Sequence, residues 1–172
     1  MSIGVSFPTF AYKDLKRPIP PNLRILGLDP GETTGWAFFE GAGYCGQGEI
    51  GPHKTVESAA FVIDKLIDEK QPHVIVNESY RVYAWRANAH THSDLFTPRL
   101  IGAVGLLAAQ KGIKRFEQSA HQAKAFVTDA KLKEWKFYVR GQRHSRDAVR
   151  HVVYYLLFGK LPKPIARLQQ TE

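Results

Sequence analysis

Apolar residues fall along the chain in short runs and in helical stripes, and the two periods alternate. Ile25-Leu26-Gly27-Leu28 is a continuous apolar run with the character of a buried strand. It ends on Asp29, followed at once by the turn signal Pro30-Gly31. Thr33-Thr34-Gly35 leads into Trp36-Ala37-Phe38-Phe39, so a hairpin is expected here, with a carboxylate at the end of its first strand. Gly41-Ala42-Gly43 turns the chain again, and residues 44–50 read as a third antiparallel strand that stops at Gly51-Pro52. From Thr55 to Glu69, Val56, Ala59, Ala60, Ile63, Leu66 and Ile67 recur at helical spacing, and Gln71-Pro72 breaks the helix. His73 to Asn77 is a short apolar strand that ends on a second acid, Glu78. A strand–helix–strand order implies a right-handed crossover, which places this strand parallel to the first.

Pro98 opens a helix to about Lys111, with Leu100, Ile101, Val104, Leu107 and Ala108 apolar and Gly112 ending it. Residues 113–117 form an expected fifth strand, and Ser119 is a candidate N-cap for a helix through Val127. The last element is a helix from about His144 to Phe158, with Ala148, Val149, Val152, Val153 and Leu156 as its buried stripe. The order β-β-β-α-β-α-β-α-α predicts an α/β fold: a mixed five-stranded sheet, three antiparallel strands followed by parallel ones, flanked by helices. Residues 1–22 hold Pro8, Pro18, Pro20 and Pro21 without a period, and read as an extended arm. Residues 23–159 form one globular domain, and residues 160–172 a polar tail.

Charge changes this picture more than composition does. Residues 1–100 carry 10 Lys/Arg against 11 Asp/Glu, whereas residues 101–172 carry 14 against 5. A basic half of this kind points to a polyanionic partner, most simply nucleic acid, with a solvated basic surface as the plainer reading. Cys45 is the one cysteine, so an intrachain disulfide is excluded, in keeping with a reducing cytosol. No apolar run reaches the length of a membrane span, and the N-terminal residues lack the order of a secretory signal. A cytoplasmic protein is expected.

The candidate chemistry lies at the element ends. Asp29 alone allows two readings, the opening of an Asx-type turn or a cation ligand at the edge of the core. Glu78 ends a neighbouring strand that points the same way. Asp147 lies near the start of the last helix, and His144 three residues earlier on the same face. Carboxylates with a histidine, gathered from strand ends and a helix start, suit hard divalent cations such as Mg²⁺ or Mn²⁺. Two such ions can activate a water and stabilise the leaving oxygen of a phosphodiester.

The stretches ILGLDPGETTGWA, VIVNES and HSRDAVRH resemble the three motifs of RuvC-type Holliday junction resolvases, in the RNase H-like superfamily, across roughly residues 23–158. The resemblance implies an RNase H-like fold, with Asp29, Glu78 and Asp147 as metal ligands and two Mg²⁺ ions, or Mn²⁺ as substitute. It also implies a homodimer acting on branched DNA, above all four-way junctions. Relatives carry either an acid or a histidine where His144 stands, so His144 is a candidate ligand or general base. Lys124 resembles a family lysine that contacts DNA near the scissile phosphate, with an exposed helix lysine as the plainer reading. Tyr80 and Tyr83 follow Glu78 closely, where the family places an aromatic that stacks on junction bases, although Arg81 occupies the usual offset. Lys131, Lys133, Lys136, Arg140 and Arg143 read as phosphate contacts that position DNA without reading its sequence. The apolar side of the helix from Pro98 to Lys111 is a candidate dimer surface or part of the core. The remaining histidines, His151 among them, read as incidental or packing residues. The compact chain with its N-terminal arm points to a bacteriophage-type relative.

Three rivals share parts of the pattern. An actin-like ATPase would use a similar Asp-x-Gly-x-Thr-Thr-Gly loop but needs a second, duplicated domain. An RNase H-like nuclease for flaps or RNA would use the same metal site with a different groove. A non-catalytic binder would gain nothing from acids facing phosphates.

Overall fold

The computed structural model describes the backbone of residues 5–6 and all of residues 18–80 and 95–162. Six strands form one sheet: β1 (Val5–Ser6), β2 (Arg24–Asp29), β3 (Thr34–Glu40), β4 (Gly43–Ile50), β5 (Val74–Glu78) and β6 (Lys114–Gln118), in the order β1-β4-β3-β2-β5-β6. β2, β3 and β4 are antiparallel neighbours, and β5 and β6 add in parallel beside β2. This is the mixed five-stranded arrangement expected from the sequence. The sixth strand comes from the N-terminal arm, where Val5 and Ser6 pair with Tyr44 and Gly43 on the edge of β4.

The helices are α1 (Val56–Lys70), α2 (Phe96–Gln110), α3 (Ala120–Phe126), α4 (Asp129–Glu134) and α5 (Arg143–Phe158). α4 was not expected. Its N-cap Thr128 accepts a hydrogen bond from the Lys131 amide, and Leu132 anchors its inner side. Ser119 precedes α3 as expected but makes no side-chain cap bond.

Strand alternation sorts the core into two layers. Leu26, Leu28 and Ile75 point to the side covered by α1 and α2, where they meet Ile63, Ile67, Leu100 and Val104. Leu23, Ile25, Ala37, Phe39, Val74 and Val76 point to the other side, against Ala148, Val149, Val152, Val153 and Leu156 of α5. The apolar stripe of α2 is therefore core, and it is not a free dimer surface. Among the described residues, the large apolar side chains left exposed on α1 and α2 are Phe61 and Leu106.

α5 lies directly on the strand backbones because two glycines leave room for it. A Cβ at Gly27 would sit 2.6 Å from the Ala148 carbonyl oxygen, and one at Gly35 would overlap the backbone of His144. This close approach sets the height of α5 above β2 and β3.

Candidate active site

The alternation that sorts the core also aims the site. Asp29 shares its face with Ile25 and Gly27, Glu78 with Val74 and Val76, and Gln118 with Phe116, all toward α5. Glu78 pairs with Gln118, Leu28 pairs with Asn77, and Asp29 is the next position along β2. On the other flank Asp29 pairs with Gly35, and Gly35 with Glu49. One row therefore crosses five strands: Glu49, Gly35, Asp29, Glu78, Gln118. Parallel strand ends of this kind are where α/β sheets collect their ligands.

α5 crosses this row. At its start, the backbone N–H of His144 donates to Glu49 Oε1 at 2.8 Å, and that of Ser145 at 3.4 Å. Glu49 thereby satisfies two amides at the helix N-terminus, where negative charge is also favoured by the helix dipole. His144 Nδ1 lies 2.7 Å from Asp29 Oδ2. Asp147 is 3% exposed, and its two oxygens are held by Lys124 Nζ at 2.9 Å and by the Arg150 guanidinium. Arg150 is itself pinned by the Val127 carbonyl and by Asp129. One turn beyond Asp147, His151 reaches Gln118 Oε1 with Nδ1 (3.2 Å) and faces Glu78 Oε2 with Nε2 (3.9 Å).

The turn after β2 is closed by Thr34, whose hydroxyl donates to the Gly31 carbonyl and accepts from the Gly31 amide. Asp29 instead sends a carboxylate oxygen to His144. The turn is thus held by Thr34, and the Asp29 carboxylate lies against His144 at a cleft.

The charges at these strand ends are unevenly matched. Burial pushes Asp29 above the usual carboxylate range, and the nearby charges of Asp147 and Glu78 push it further, against the pull of the His144 hydrogen bond. Glu78 is held below its ordinary value: burial works against ionisation, but His151 and Lys124 outweigh it. The hydrogen bond to Asp29 raises His144. Donor atoms of Asp29, Glu78 and His151 all lie within 4.8 Å of one another. Buried oxygen donors crowded against like charge, with imidazole beside them, fit a divalent cation, which would relieve that repulsion.

A cleft of about 720 Å³ opens over these groups. Asp29, Glu78 and His144 form its floor, and Pro30, Gly31, Tyr80 and residues 95–98 form its walls. Tyr80 lines this cleft, while Arg81 and Tyr83 lie outside the described residues. Lys133, Lys136, Arg140 and Arg143 are exposed. Lys131 is turned inward: its ammonium donates to the Phe126 carbonyl at 2.7 Å and lies over the Phe126 ring. It is not a free phosphate contact. Trp135 and Phe137, which lie among these basic residues in the chain, belong to the core.

Four residues at the site were not among those expected. Glu49 has a signal in the sequence only through strand register, being the residue paired with Gly35. Gln118 ends the third parallel strand, as Asp29 and Glu78 end the other two. Arg150 and His151 follow Asp147 by three and four residues, the spacing that keeps them on its side of the helix.

No model of a known protein family matches the chain, and no curated protein matches it. Solved structures do. Thermus thermophilus RuvC superposes with a TM-score of 0.56 at 14% identity, covering 78% of this chain and 94% of that one. T. thermophilus RuvC in complex with a Holliday junction substrate gives 0.59 at 15%, covering 82% and 100%. The yeast mitochondrial Holliday junction resolvase Ydc2 gives 0.58 at 13%, covering 87% and 84%. At these identities the likeness is one of fold, and the fold is the RNase H-like arrangement of RuvC.

Proposed function

We propose that this chain is a metal-dependent endonuclease that cuts branched DNA, four-way junctions above all. The observation that carries the reading is the gathering of Asp29 and Glu78 at adjacent strand ends, with the charge of Asp147 close enough to act on Asp29, in a sheet whose fold it shares with junction resolvases. Asp29, Glu78 and Asp147 would hold the cations. Divalent ions bound there supply polarisation of the scissile phosphate and a water of lowered pKa.

The chain's own groups do the rest. Lys124, 2.9 Å from Asp147, brings a positive charge to the place where a phosphate would enter. His144 lines the cleft with Nδ1 committed to Asp29, so Nε2 is the nitrogen left to take a proton from an attacking water. Tyr80 on the cleft wall offers a ring to an unpaired base, an interaction worth about 1–3 kcal/mol. Lys133, Lys136, Arg140 and Arg143 add sequence-independent phosphate contacts. Symmetric cutting of a four-way junction calls for two sites related by a two-fold axis, so the active species is a homodimer.

The test uses labelled four-way junction, flap, duplex and RNA–DNA hybrid, with the protein and its Asp29→Asn variant, with and without Mg²⁺ or Mn²⁺. Paired nicks on the junction, lost in the variant and without metal, are expected. The variant should bind the junction as well as the parent or better, because it removes a negative charge facing phosphate. Cutting of flaps or hybrids with the junction intact would move the substrate to the rival nuclease reading. Loss of binding together with cleavage would remove Asp29 from the set of metal ligands.

A further inference from the structure

His144, Asp147 and His151 stand three and four residues apart along α5, so one helix face presents two imidazoles on either side of a carboxylate. Both lie in the stretch HSRDAVRH, but the resemblance implies a role at the site for His144 and not for His151. His151 is 1% exposed, beneath the ends of β5 and β6. A histidine buried only for packing settles both ring nitrogens on protein partners. His151 settles one. Its Nδ1 lies 3.2 Å from the side-chain oxygen of Gln118; with that oxygen accepting, Nδ1 carries the proton and Nε2 keeps its lone pair. Nε2 faces Glu78 at 3.9 Å, beyond hydrogen-bond length, within the 4.8 Å grouping that also contains Asp29.

A metal-ligating histidine has this same division of labour: one nitrogen donates to a fixed oxygen, which sets the tautomer, and the other offers its lone pair. We propose that His151 is a nitrogen ligand of the cation held by Asp29 and Glu78, with Gln118 fixing its tautomer, and that it shifts the site's preference toward Mn²⁺. The inference rests on reading this site as a metal centre, as above. Mg²⁺ is hard and keeps oxygen ligands and water, whereas a transition ion accepts imidazole more readily. A buried nitrogen donor therefore favours Mn²⁺ without excluding Mg²⁺. Gln118 becomes part of the site through His151, which explains why an amide stands at the third strand end, in line with the two acids.

The test reads metal binding directly in the full chain. Pulsed EPR of the Mn²⁺-loaded protein detects nitrogen coupled to the ion. His144→Gln removes the other imidazole near Asp29, so the informative comparison is His144→Gln against the His144→Gln/His151→Gln double variant. Nitrogen modulation should persist in the first and vanish in the second. Calorimetric titration with MnCl₂ and MgCl₂ should show His151→Gln losing about tenfold or more in Mn²⁺ affinity and clearly less in Mg²⁺ affinity. Gln118→Leu, which leaves His151 in place, should lower Mn²⁺ affinity in the same sense. Absence of nitrogen modulation in His144→Gln would overturn the proposal without requiring a His151 variant to fold. Parallel losses of Mn²⁺ and Mg²⁺ affinity in His151→Gln would also overturn it, leaving His151 as an ion-pair partner of Glu78. Junction cleavage is scored separately. Nitrogen coupling without cutting keeps the ligand and removes the nuclease reading, and cutting without coupling does the reverse.

Discussion

Asp29 Oδ2 and His144 Nδ1 meet at 2.7 Å although 115 residues separate them in the chain. The contact joins the end of the first core strand to the start of the last helix. His144→Gln keeps the backbone amide that binds Glu49 and loses the imidazole. Cleavage is expected to fall by about 10²–10⁴-fold, with junction affinity nearly unchanged. Single-turnover cleavage and a binding titration on the same preparation separate the two effects.

Gly27 and Gly35 set how closely α5 approaches the sheet. Gly35→Ala would drive a methyl group into the His144 backbone, and Gly27→Ala would crowd the Ala148 carbonyl. Each should destabilise the protein by about 1–3 kcal/mol or more by denaturant unfolding. Gly102, on the exposed side of α2 with open space around it, is the control. There Gly→Ala should stabilise by up to ~1 kcal/mol.

Arg150 is buried and ties Asp147 to Asp129 and the Val127 carbonyl. Arg150→Met should cost about 3–5 kcal/mol, because a buried carboxylate loses a partner. Asp129 is half exposed, so Asp129→Asn should cost under about 1 kcal/mol. Comparable losses for the two variants would mean that the pair acts through its exposed half.

His73 gives a pH dependence away from the cleft. The Arg24 amide donates to its Nδ1 at 3.1 Å, and the His73 amide donates back to the Arg24 carbonyl. Burial, and then the Arg24 charge, lower its pKa below 6.5, with Glu40 working in the opposite sense. The neutral ring is the folded form, so its contribution is present above pH 6.5 and is lost as pH falls from there through the folded-state value. Unfolding between pH 8 and pH 5 should therefore show a drop in stability that is smaller in His73→Gln.

DNA binding should weaken steeply with salt. Replacing Lys133, Lys136, Arg140 and Arg143 with glutamine should flatten the log–log salt slope by about one unit per phosphate contact removed. Lys131→Gln should change it little, since that ammonium is held by Phe126. An unchanged slope in the quadruple variant would remove this face from the binding surface.

What the sequence carried was periodicity. Strands and helices with a clean apolar period, from β2 to α5, lie where alternation and helical spacing put them, and the acids at strand ends follow from that. α4 was hidden because its inner side is a single residue, Leu132, set among lysines. The pairing of Val5 and Ser6 with β4 depends on a backbone ladder, which leaves little trace in side-chain pattern. Lys131 reads as one of the phosphate contacts because composition does not reveal direction. His151 had the right spacing but lacked a reason to matter until Gln118 and Glu78 were seen on either side of it.

The docking of α5 on Gly27 and Gly35 has a consequence for biosynthesis. Asp29 and Glu78 lie in the first half of the chain, while Asp147 and His151 arrive with the last helix. A nascent or truncated polypeptide that has formed β2 to β6 holds only part of the donor set. The proposed centre would be completed only when α5 settles on the two glycines, so its assembly would double as a checkpoint on completed folding. A protein cut in the loop between α4 and α5 would then yield two inert pieces, and recovery of divalent-ion binding on mixing them would report their reassociation.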